Sequence, residues 1–110
     1  MTYADYARSL VACAKGAPTP EWTIVMYFYA AVHATNSILY AEGAAPLTHT
    51  RHEFALNKHP TLSALFAEYE ELKTLSLDAR YRPQQHPIVA GKLVLAEKLC
   101  NVILAGCNLT

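Results

Sequence analysis

The sequence is short of most features that mark a function. It has no net charge: nine lysines and arginines balance nine aspartates and glutamates, and the pI is about 7.0. That balance counts against a uniformly basic nucleic-acid binder, although not against a local basic patch. Cysteine is limited to Cys13, Cys100 and Cys107, and no pair has the CxxC spacing of a zinc or redox site. HExxH and a paired Glu-x-x-His motif are missing too, so neither a metal nor another cofactor is expected. Cys100 and Cys107 would lie about 10 Å apart along one helix, too far to bridge. All three thiols are expected to be reduced, buried and small-apolar in character. The most apolar segment, "PIVAGKLVLAEKLCNVILAG", is interrupted by Lys92, Glu97, Lys98 and Asn101, which argues against a membrane span. The opening "MTYADYARSL" places acid early and lacks a long apolar run, so it does not read as a signal peptide. The expectation is a cytoplasmic protein with no membrane association. Strand-like alternation, internal repeats and low-complexity tracts are also missing.

What is present is apolar surface and helix punctuation. With 53% apolar and only 16% charged residues, the chain is too hydrophobic for disorder and must build a core or an interface. Residues 1–110 read as a single helical domain, long enough to bury roughly two thirds of the surface of its unfolded chain. Thr2 with Asp5 resembles an N-terminal cap, and "KGAPTP" stops that helix. Thr19, Pro20 and Glu21 start a second helix that runs to about Glu42 and ends at Gly43. Thr50 with Glu53 forms a capping-box pattern opening a short helix through about Asn57. Leu62, Leu65, Phe66, Tyr69, Leu72, Leu75 and Ala79 form a stripe at helical spacing. "RYRPQQHP" is a loop, and a last helix runs from about Pro87 to Ala105. The fold expected is all-α: a four-helix up-and-down bundle with one extra short helical segment.

Two of these helices are unusual. In the last, Glu97, Lys98, Asn101 and Asn108 share one arc, and the remaining circumference is apolar or small apart from Lys92. Such a helix is either the centre of the bundle or half of a dimer interface, and a homodimer is expected. On the second helix, Trp22, Met26, Tyr29, His33, Asn36 and Tyr40 recur at spacings of four and three, the pattern of closely paired helices. The opposite face carries Ile24, Tyr27, Phe28, Ala31, Val32, Ile38 and Leu39, a core surface. Three readings of this polar seam stay open. His33 and Asn36 hydrogen-bond each other or a nearby hydroxyl as a buried register; they line a pocket with Tyr29, Tyr40 and His49; or His33, His49, His52 and Glu53 hold a metal.

Charge is segregated within the neutral total. Arg80, Arg82, His86 and Lys92 occur with no acid between Ala79 and Ala96, and Arg51 and Lys58 stand with three histidines against Glu53 alone. Acid gathers at Glu68, Glu70, Glu71 and Asp78. The basic segments suit phosphate contact, with Arg51, Arg82 and Lys92 as candidates. Equally, Arg80 could pair with Asp78 or cap its helix. In an antiparallel bundle the 80–87 loop falls near the start of the second helix, beside Trp22, and His33 lies about 13 residues, roughly 20 Å, down from that start.

Taken together, "YFYAAVHATNSILYAEG", "LTHTRHE" and "YEELKTLSLDARYR" resemble a group of small bacterial HEPN-like proteins over about residues 20 to 82. The resemblance implies an all-helical bundle that often dimerises. It also implies an RNA-directed role, as a metal-independent ribonuclease or as a toxin–antitoxin component partnered by an antitoxin or a nucleotidyltransferase. The family's catalytic signature is an arginine followed four to six residues later by histidine, and Arg80 and His86 fit that spacing. The resemblance makes His86 the acid or base at the ribose 2′-hydroxyl and Arg80 the stabiliser of phosphate charge. Tyr81 stands where a polar residue is usual, and Pro83 lies inside the motif. The competing reading is a non-catalytic dimeric module that binds a protein partner through an apolar groove.

Overall fold

The computed structural model describes residues 2–44, 46, 48–82 and 90–109. Among them there is no strand. The elements are α1 (Tyr3–Lys15), α2 (Pro20–Ala41), α3 (His49–Lys58), a 3-10 turn (Leu62–Leu65), α4 (Phe66–Tyr81) and α5 (Ala90–Gly106).

Local chemistry sets most of the boundaries. At the start of α1, Thr2 Oγ1 accepts from the Asp5 amide at 3.1 Å and Asp5 Oδ2 accepts from the Thr2 amide at 3.0 Å, a reciprocal capping box. Thr19 caps α2 with Pro20 in its first turn. The chain leaves α2 through Gly43 at φ 87°, a left-handed conformation that glycine adopts without Cβ strain. The cap of α3 differs from the sequence expectation. Thr48, not Thr50, is extended and accepts from the Arg51 amide at 3.1 Å, so Thr50 lies inside the first turn. The Glu53 carboxylate that would have closed a box with Thr50 instead forms an ion pair with Lys73 of α4. The stripe beginning at Leu62 also opens later as an α-helix than its periodicity suggests, because a 3-10 turn precedes α4.

Named contacts give the direction of each helix. Tyr3 packs on Tyr40 and Thr23 donates to the Ala14 carbonyl, so α1 and α2 are antiparallel. Arg80 reaches Tyr29 and the Trp22 end of α2, while Tyr69 packs on Phe28 and reaches Thr35 through His52. That makes α4 antiparallel to α2. A Cβ on Gly106 would meet Leu65 Cδ1 at 2.6 Å, which brings the end of α5 to the start of α4.

The centre of the molecule is α2, which packs against α1, α4 and α5 and buries Ile24, Tyr27, Phe28, Ala31, Thr35 and Leu39. Of the two roles expected for the last helix, the central one therefore belongs to α2. Leu99, Cys100, Ile103 and Leu104 of α5 are buried, whereas Val94 is 69% exposed. Among the cysteines, Cys100 and Cys107 are buried as expected and Cys13 is exposed. Burial pushes the Cys100 thiol up to about 12 and Cys107 up to about 11. No described helix is long and apolar enough to cross a membrane.

Candidate functional site

The last turn of α4 brings a cation to the first turn of α2. A positive side chain is favoured where helix carbonyls are unsatisfied, and Arg80 occupies that turn. Its Nη1 donates to the Tyr29 hydroxyl at 3.0 Å, and its guanidinium carbon lies 5.7 Å from the Tyr29 ring centre and 5.2 Å from that of Tyr81. Both contacts have cation–π geometry. A guanidinium has five N–H donors, and one is taken by Tyr29. Arg80 Nε is buried with no hydrogen-bond partner among the described residues. Beside the guanidinium a groove of about 250 Å³ is lined by Glu21, Trp22, Val25, Ala79 and Arg80. Trp22 is 54% exposed and Tyr81 is 71% exposed. One residue beyond the helix, Arg82 pairs with Asp78 at 3.5 Å. This is a planar cation held between the half-buried Tyr29 ring and the exposed Tyr81 ring, at the rim of a groove that Trp22 also lines.

The other basic candidates divide between the two ends of the bundle. Lys92 is in the first turn of α5, which runs antiparallel to α4, and so shares the Arg80 end. Arg51 does not. It lines a groove with Ala44, Pro46 and Phe54 beyond the opposite end of α2. Arg51 therefore lines a different groove from the one beside Arg80. His86, and the expected start of the last helix at about Pro87, lie among residues 83–89, outside the described residues.

The polar seam of α2 splits among three neighbours. Tyr29 faces Arg80. His33 faces α1, with ring centres 5.8 Å from Tyr3 and 5.5 Å from Tyr6. Its Nδ1 is buried with no hydrogen-bond partner among the described residues, and burial holds its pKa below the ordinary imidazole value. Asn36 lines a small cavity with Val32, Pro46, Thr48, His49 and His52, and its Oδ1 likewise has no partner among the described residues. The expected His33–Asn36 hydrogen bond is not formed. Three residues correspond to about 300° of helix, which turns one side chain toward α1 and the other toward α3. Tyr40 donates to the Pro46 carbonyl at 3.1 Å and packs on Tyr3, while His49 stacks near Phe28 at 6.5 Å.

A buried polar relay joins α2, α3 and α4, and sequence reasoning missed two of its three members. His52 is 3% exposed. Its Nε2 lies 2.9 Å from Thr35 Oγ1 and its Nδ1 lies 3.1 Å from the Tyr69 hydroxyl. Thr35 donates to the Ala31 and Val32 carbonyls. It therefore accepts from His52 Nε2–H, and the Tyr69 hydroxyl donates to Nδ1. Burial first, then the neighbouring His49, lowers the His52 pKa to about 4, against a smaller opposing effect of Glu53. Burial similarly raises the Tyr69 hydroxyl. With both ring nitrogens committed, His52 has no lone pair for a metal. Among the described residues no three His, Cys, Asp or Glu side chains gather into a metal site. The signal for this relay was present: His52 precedes Leu56 by four residues, and these two are the buried residues of α3.

No protein-family model, curated protein or solved structure matches the chain.

Proposed function

We propose that the protein is a HEPN-like RNA-directed protein working through the end of the bundle that carries Arg80, Arg82 and Lys92. The observation that supports this is the state of Arg80: a guanidinium held by Tyr29 and Tyr81 at the mouth of a groove, with donors that no described residue takes. Guanidinium donors match phosphate oxygens in geometry and charge. In the catalytic form of this reading, His86 exchanges a proton with the ribose 2′-hydroxyl while Arg80 stabilises negative charge on the phosphate. A homodimer supplies two such sets, one acting as acid and one as base.

The test is incubation of the purified protein with total RNA in EDTA, alongside an Arg80→Ala/His86→Ala double variant. The reading expects cleavage by the parent and none by the variant. RNA binding without cleavage would reduce the role to binding. Neither binding nor cleavage would overturn it.

A second reading has its own support. Val94 and Phe54 are 69% and 66% exposed, and Val94 shares a groove on α5 with Val102, Ala105, Glu97, Lys98 and Asn101. Exposed apolar side chains edged by polar ones suit a second copy or a protein partner such as an antitoxin or a nucleotidyltransferase. A stoichiometric partner retained through purification, and lost on Val94→Asp, would favour this reading.

A further inference from the structure

We infer that the groove beside Arg80 takes a nucleobase of single-stranded RNA, stacked on Trp22, with the flanking phosphates on Arg80 and Arg82. This rests on the RNA-directed reading above and names the form of RNA that the site accepts.

Three features of the groove carry the inference. First, Trp22 lines it and keeps 54% of its surface exposed, although an indole gains from burial and has apolar core available along the same helix. Its position in the first turn of α2 is fixed by the Thr19 cap and Pro20, so the ring is presented on a rigid element. Second, the cation lining the same groove is Arg80, whose guanidinium already contacts the Tyr29 and Tyr81 rings. Planar cations and aromatic rings on one rim form a stacking surface for a π-face. Third, Glu21 lines the groove with Val25 and Ala79. A carboxylate repels phosphate, and two aliphatic side chains give it no hydrogen bonds. The groove itself is thereby matched to a neutral flat ring, and phosphate belongs outside it on the arginines. Bases in a duplex are stacked on one another and present no free face, so the site selects single strands.

Trp22 is the sole tryptophan of the chain, which makes its fluorescence a reporter of this one position. The experiment titrates the full chain with three end-labelled RNAs of equal length: a single strand, its abasic counterpart and a duplex. Label anisotropy reads binding, and indole emission reads stacking. The single strand should quench Trp22 and bind about tenfold more tightly than the abasic strand or the duplex. Trp22→Ala should remove that advantage while leaving the weak abasic binding in place, and Trp22→Phe should keep most of it. Circular dichroism on each variant confirms the fold. Binding of all three RNAs with equal affinity, or single-strand binding that neither quenches Trp22 nor responds to Trp22→Ala, would overturn the inference and leave the RNA-directed reading standing. No anisotropy change with any RNA would overturn both.

Discussion

At the scale of single residues, the relay of Thr35, His52 and Tyr69 shows how burial selects a protonation state. A proton added to His52 would go to Nδ1, where the Tyr69 hydroxyl already donates, inside a core that solvates no charge. In the unfolded chain the imidazole has its ordinary value near 6.5, and in the folded protein about 4. Between those values the unfolded state binds more protons, so stability rises with pH across the window. The contribution is complete above pH 6.5, is lost progressively as pH falls toward 4, and amounts at most to roughly 3 kcal/mol. Urea denaturation from pH 7 to 4.5 should therefore show a steeper loss for the parent than for His52→Gln. Parallel curves would mean that His52 is not held neutral by the fold. Sequence reasoning placed His52 among possible metal ligands because it counted histidines by type. The helical face shared with Leu56 was the better guide, yet Thr35 and Tyr69 each lie 17 residues away along the chain. No local pattern links residues at that distance before the helices are packed.

At the scale of elements, caps and glycines were legible because their chemistry is local. The Thr2–Asp5 box, the Thr19–Pro20 start and the Gly43 stop all form where the sequence places them. The start of α3 was ambiguous because two threonines, Thr48 and Thr50, stand two residues apart. Tertiary structure decides between them: Glu53 is drawn to Lys73 on α4, so the box with Thr50 loses its second half. Thr48→Ala should accordingly cost about 1 kcal/mol of stability in thermal or urea unfolding, and Thr50→Ala much less. Equal losses, or a larger one at Thr50, would contradict the assigned cap. The seam on α2 was legible as a two-sided helix but not as three separate environments. Its period says that the side chains share a face; it does not say that the face meets α1 at His33, α3 at Asn36 and α4 at Tyr29.

At the scale of the whole molecule, antiparallel packing sorts the charged residues by end. Arg80, Arg82 and Lys92 fall at one end of the bundle, and Arg51 lines a separate groove beside Ala44 and Pro46, past the C-terminal end of α2. Sequence spacing alone grouped Arg51 with them, since charge counts carry no information about which end of a bundle a residue reaches. This polarity is what the RNA-directed account depends on, and salt titration reads it directly. Affinity for a single-stranded RNA should fall with salt. Arg80→Ala should weaken binding and make the slope of log K against log salt shallower by about 0.7, the loss of one phosphate contact on a single strand. Arg51→Ala should leave both affinity and slope unchanged. If the parent binds no RNA, or if Arg51→Ala matters as much as Arg80→Ala, the Arg80 end is not the site.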